Sequence, residues 1–119
     1  MNDHLSSFMS YLEYEKRYSL HTCSAYRVDL EQFLDFVNND FGIGEMNAIS
    51  DQMIRSWLAS LMDEGLAAKS INRKTSSVKS YFKYLSRQGI ITKNPSLKIQ
   101  GPKQKKRLPV FIEESKMEL

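Results

Sequence analysis

Lys69, Arg73, Ser76, Ser80, Lys83 and Arg87 follow one another at intervals of 4, 3, 4, 3 and 4. At about 100° per residue, that spacing lines them along one face of a helix. Cations on such a face neutralise phosphates. The serines between them let the helix axis come close and donate short hydrogen bonds. Lys74, Ser77, Lys79 and Tyr84 are expected on the flanks of this ridge. An Arg reaching into a groove could read guanine, and Asn72 could read adenine. An ordinary solvated face would interleave Glu with Lys at i, i+4, but no Asp or Glu occurs anywhere from Gly65 to Arg107. The ridge therefore points to a nucleic-acid partner.

Two further surfaces carry weaker signals. The run Lys103-Gln104-Lys105-Lys106-Arg107 could track a phosphate backbone as an arm, or serve only as a solubilising linker. Near the start of an earlier helix, His21, Thr22 and Arg27 lie off the apolar stripe, where free N–H groups attract phosphate. On the residues alone the plainer reading is favoured, in which Thr22 helps the cap and Arg27 pairs with Glu31.

Catalytic chemistry finds no constellation. His4 and His21 are far apart and lack metal-ligand spacing with any Cys or paired acid. Cys23 sits in an apolar stripe, as a core cysteine does. Asp29 and Glu31 are two apart and share no helix face. There is no glycine-rich phosphate loop. No catalytic residue, metal site or cofactor is expected.

Four helices position these residues. The first covers roughly 4–17, with Leu5, Phe8, Met9 and Leu12 on one face. Ser19 caps a second over about 20–38, whose stripe is Cys23, Tyr26, Leu30, Phe33 and Val37, widened by Leu34. A loop follows at Asn38-Asn39-Asp40, Gly42 and Gly44. Ser50 caps the third, which buries Ile54, Trp57, Leu58, Leu61 and Met62 and ends at Gly65. The fourth runs from about 68 to 87. Its apolar stripe, Ile71, Val78, Phe82 and Leu85 with Thr75 between, spans about 80° opposite the ridge. Beyond Gly89, the pairs Asn94-Pro95 and Gly101-Pro102 with dense charge describe a linker. No strand pattern, repeat or low-complexity tract is present.

The chain of 119 residues suits one domain and a tail. Its net charge of +3 hides a division. Residues 1–64 hold four basic and eleven acidic side chains, a net of −7, and residues 65–119 hold thirteen and three, a net of +10. That division again assigns an anionic partner to the second half. The start lacks a signal-peptide pattern, no apolar run is long enough for a membrane, and one cysteine allows no internal disulfide. A cytoplasmic setting is expected.

Ser19-x-x-Thr22-x-x-Ala25-Tyr26-x-x-Asp29-Leu30 with Phe33, then Ser70 to Leu85, then Gly89, Asn94-Pro95, Pro102-Lys103 and Leu108-Pro109 form an ordered set of motifs. Together they resemble the core-binding domain of tyrosine recombinases of the Xer and phage-integrase type, from about Leu5 to the end. The resemblance implies an all-α, four-helix, SAM-like orthogonal bundle with a basic C-terminal linker. It implies a division into 1–98 (DNA-binding helical domain), 99–109 (linker) and 110–119 (the start of a catalytic domain). It also implies duplex DNA at a recombination half-site, and other recombinase protomers, as partners. By motif position, Thr22, Arg27, Arg73, Ser76, Lys79 and Ser80 become phosphate contacts. The family's tyrosine, Arg, Lys, His-x-x-Arg and His chemistry has no match here, so cleavage would belong to residues beyond this sequence. Thr75, Lys79 and Ala67 depart from the family's usual Leu, Arg and capping Ser or Thr. The rival classes are a stand-alone helical protein-interaction module and a helix-turn-helix repressor, the latter allowed by the short turn from Gly65 to Ala68.

Overall fold

Helix starts and stops are set by single residues. Ser19 has extended backbone, and its hydroxyl accepts from the Thr22 N–H at 3.2 Å, opening a long helix. Ser50 does the same for the Met53 N–H at 3.4 Å. Gly42, at φ +66°, closes the long helix in the left-handed conformation that its last carbonyls require. The computed structural model describes residues 2–102, with side chains from His4 onward. The elements are α1 (Asn2–Ser10), a π-helical turn (Tyr11–Glu15), α2 (Leu20–Phe41), a 3-10 turn (Met46–Ala48), α3 (Asp51–Asp63) and α4 (Ala68–Arg87). Among the described residues there is no strand.

Two boundaries differ from expectation. Asn38, Asn39 and Asp40 stay helical, because the nearest left-handed stop is Gly42, not the asparagines. The first helix widens into a π turn at Tyr11, and its end is Arg17 at φ +56°, a position that glycine fills at lower cost. There the Lys16 N–H donates to the Tyr11 carbonyl and the Tyr18 N–H to the Leu12 carbonyl.

One core joins all four helices. Phe33 of α2 meets Trp57 of α3 and Phe82 of α4 edge-on, with ring centroids 5.2 and 6.0 Å away. Phe8 of α1 packs on Tyr81 and Tyr84 of α4, both at 5.2 Å. Burying such side chains contributes about 1.5–3 kcal/mol each, against about 5–15 kcal/mol for a whole domain. Met62, expected in the buried face of α3, is exposed.

The chain beyond α4 packs back onto the bundle. Ile91, Ser96 and Ile99 are buried. The Asn94 side-chain carbonyl accepts from the Ser96 N–H and hydroxyl, which folds the chain around Pro95. Ile99 and the Gly101-Pro102 pair, at the start of the expected linker, therefore lie against α4.

Candidate nucleic-acid interface

Asp29 is fully buried on α2, although its neighbours in the stripe are apolar. An ionised carboxylate without partners there would cost several kcal/mol. Three side chains of α4 converge on it. Arg73 donates side-on, Nη2 to Oδ1 at 2.8 Å and Nε to Oδ2 at 3.3 Å. Lys74 Nζ donates to Oδ1 at 3.0 Å and to Gln32 Oε1 at 2.6 Å. The Ser77 hydroxyl donates to Oδ2 at 2.9 Å. The cluster welds α2 to α4, and its net charge is one positive.

This corrects the helical-wheel expectation for the flank. Lys74 and Ser77 are buried, not exposed beside the ridge. The buried face of α4 extends from Thr75 through Ile71, Leu85, Lys74 and Tyr81 to Ser77, about 160° at the helical period. An acid waiting on α2 is what draws two polar side chains inward. The sequence held a signal for it. Asp29 stands three residues after Tyr26 and four before Phe33, on the stripe itself, and a buried acid requires cations.

The ridge itself stays on one side of α4. Lys69, Arg73, Ser76, Lys83 and Arg87 are exposed and Ser80 is half-buried. None of Lys69, Lys83 and Arg87 forms an ion pair among the described residues; Arg73 pairs with Asp29. Its side chain keeps more than half of its surface open, and three of its five N–H donors remain unused by Asp29. Beside it, His21, Thr22, Ala25 and Tyr26 of α2 face Ser76 and Ser77 of α4 across a shallow groove floored by Asp29.

The remaining candidates divide. Asn72 donates its amide to the Pro102 carbonyl at 2.8 Å, and Lys79 donates to the Ile99 carbonyl at 2.8 Å. Both hold the returning chain. Thr22 shares the Ser19 cap, and Arg27 lies 3.8 Å from Glu31 with both side chains half exposed. Lys103, Lys105, Lys106 and Arg107 lie outside the described residues. Among the described residues no cluster of His, Cys, Asp and Glu could hold a metal, and no helix is long and apolar enough to cross a membrane.

Four packed helices with an acid-free cationic face define an all-α domain of the SAM-like kind. The chain belongs to the family described as phage integrase, N-terminal SAM-like domain, whose model matches residues 5–89. Its curated relatives include the tyrosine recombinase XerC of Bacillus pumilus, 36% identical over 110 residues, covering 92% of this chain and 36% of the relative. The XerC proteins of Oceanobacillus iheyensis (31% over 115 residues) and Halalkalibacterium halodurans (35% over 114) are also similar, covering 97% and 96% of this chain and 37% of each relative. The chain thus spans little more than a third of the length of these relatives. No solved structure matches it.

Proposed function

We propose that this chain is the DNA-binding N-terminal domain of a tyrosine site-specific recombinase and grips duplex DNA at a recombination half-site. One observation carries the reading: the exposed face of α4, from Lys69 to Arg87, holds four cations and no acid. Lys69, Lys83 and Arg87 neutralise phosphates, and Ser76 and Ser80 allow close approach. Arg73, held side-on by Asp29, presents its outer edge to a phosphate or to the O6 and N7 of guanine. The start of α2, with Thr22, forms the opposite lip of the groove. Lys74 neutralises Asp29 instead of the backbone, and Asn72 and Lys79 position the chain that leaves the domain. Strand cleavage and rejoining through a phosphotyrosine, and contacts with other protomers, belong to residues outside this sequence. The protein works at the nucleoid.

The test is duplex binding followed by fluorescence anisotropy at several salt concentrations. With about six phosphates neutralised, log K falls with log salt at a slope of roughly −5. Lys69→Gln and Lys83→Gln should each flatten the slope by about 1 without lowering the melting temperature. A slope near zero in the unaltered protein overturns the reading. Competition by an acidic protein in place of an unrelated duplex would point to a protein-interaction module.

A further inference from the structure

A second concavity lies at the far end of the ridge, where the π turn, the loop before α2 and the C-terminal half of α4 meet. Lys16, Ser80, Lys83 and Arg87 line it. The three cations form no ion pair among the described residues. Phenols furnish much of its wall. Tyr11 packs on Tyr84 with centroids 5.0 Å apart, and Tyr18 stacks on Tyr26 at 5.9 Å. Arg87 Nη1 lies 3.5 Å from the Tyr11 hydroxyl. No acid lines this hollow, although Glu13 and Glu15 are close in sequence. Residues bearing ammonium, guanidinium, phenol and serine donors therefore surround it, with no carboxylate among them.

Tyr26 lines both this hollow and the α2–α4 groove, so the two are neighbours that share one wall. Ser76 in the groove and Ser80 in the hollow are one helical turn apart, a rise of about 6 Å. A sugar-phosphate strand lying along the groove would come within about one turn of α4 of the hollow. We infer that the hollow is a phosphate-binding pocket that extends the duplex footprint past α4, with Lys16 and the Tyr18 hydroxyl as ligands supplied from outside the two groove helices. The inference rests on the DNA-binding reading above and adds a ligand class and two residues to it. It also gives the π turn a purpose, since the end of that turn carries Lys16 to the mouth of the pocket.

The test compares salt slopes and affinities of variants on one duplex. Lys16→Gln should flatten the slope by about 1. Tyr18→Phe, which keeps the ring stack and removes only the hydroxyl, should weaken binding roughly three- to tenfold. Arg55→Gln, an equal change in net charge on the exposed side of α3, should leave slope and affinity unchanged. Thermal melts show whether each variant stays folded. A full slope in the unaltered protein with Lys16→Gln and Tyr18→Phe indistinguishable from it sinks the pocket alone. An equal effect from Arg55→Gln also sinks it, because overall charge would then explain the change. A flat slope in the unaltered protein sinks the groove reading itself.

Discussion

Two buried polar side chains behave oppositely. Asp29 is satisfied by Arg73, Lys74 and Ser77, whereas the hydroxyl of Tyr81 is buried with no hydrogen-bond partner among the described residues. Asp29→Asn leaves the Lys74 ammonium buried beside a neutral amide and should cost about 3–5 kcal/mol, read from the urea midpoint. Replacing both residues with Leu and Met should recover much of that loss. It should also weaken DNA binding, because Arg73 then loses its anchor. Recovery of full affinity in the double variant would mean that Arg73 needs no positioning. Tyr81→Phe removes an unsatisfied group and should stabilise by about 1 kcal/mol. Burial, with Tyr84 adding to it, raises the Tyr81 phenol well above its ordinary value. The folded state therefore holds this proton where the unfolded chain releases it. That stability is fully present below about pH 10 and is lost as pH rises further. The phenylalanine variant should show a shallower alkaline decline; an unchanged decline would count against the burial of this hydroxyl.

At the scale of elements, α4 is the one helix after α1 whose cap is missing. Ala67 is extended, as a cap should be, but has no oxygen to accept from the first turn. Ala67→Ser should add about 0.5–1 kcal/mol. That is a rise of several degrees in melting temperature for a domain of this size, and the salt slope should not change. No rise would mean that solvent or packing already satisfies those N–H groups. The bounds of α4, and the caps at Ser19 and Ser50, were legible because hydroxyl caps, left-handed glycines and a 3.6-residue period act locally. The end of α1 was not, because a π turn and a left-handed arginine follow from how Leu12 and Tyr11 must pack against other helices. The inward turn of Lys74 was hidden for a related reason. A wheel drawn for one helix ranks lysine as exposed, and only the acid on α2, forty-five residues away, reverses that ranking. The return of Ile99 onto α4 was masked by the glycine, proline and charge around it.

For the whole molecule, charge is segregated along the chain, with −7 in residues 1–64 and +10 in residues 65–119. On the proposed DNA-binding reading, this division should steer an approaching duplex, so association itself should slow steeply as salt rises. For a slope of −5, affinity between 50 and 200 mM salt should fall by about 10³. Stopped-flow rates that stay constant over that range would mean the cations act only after docking. The four helices and the ridge could be anticipated from periodicity and charge, which are read one helix at a time, whereas the SAM-like bundle followed from the resemblance. The hollow at Lys16 could not, because it is assembled from three separate parts of the chain.

Asn72 grips the Pro102 carbonyl, and a β-carbon on Gly101 would strike that same asparagine. The polypeptide therefore departs from the domain along a fixed bearing, clasped to the helix that carries the ridge. Up to Pro102 the chain takes its heading from that helix, as a trailer does from a rigid hitch and not from a loose rope. A tilt of α4 would carry the chain at Pro102 with it.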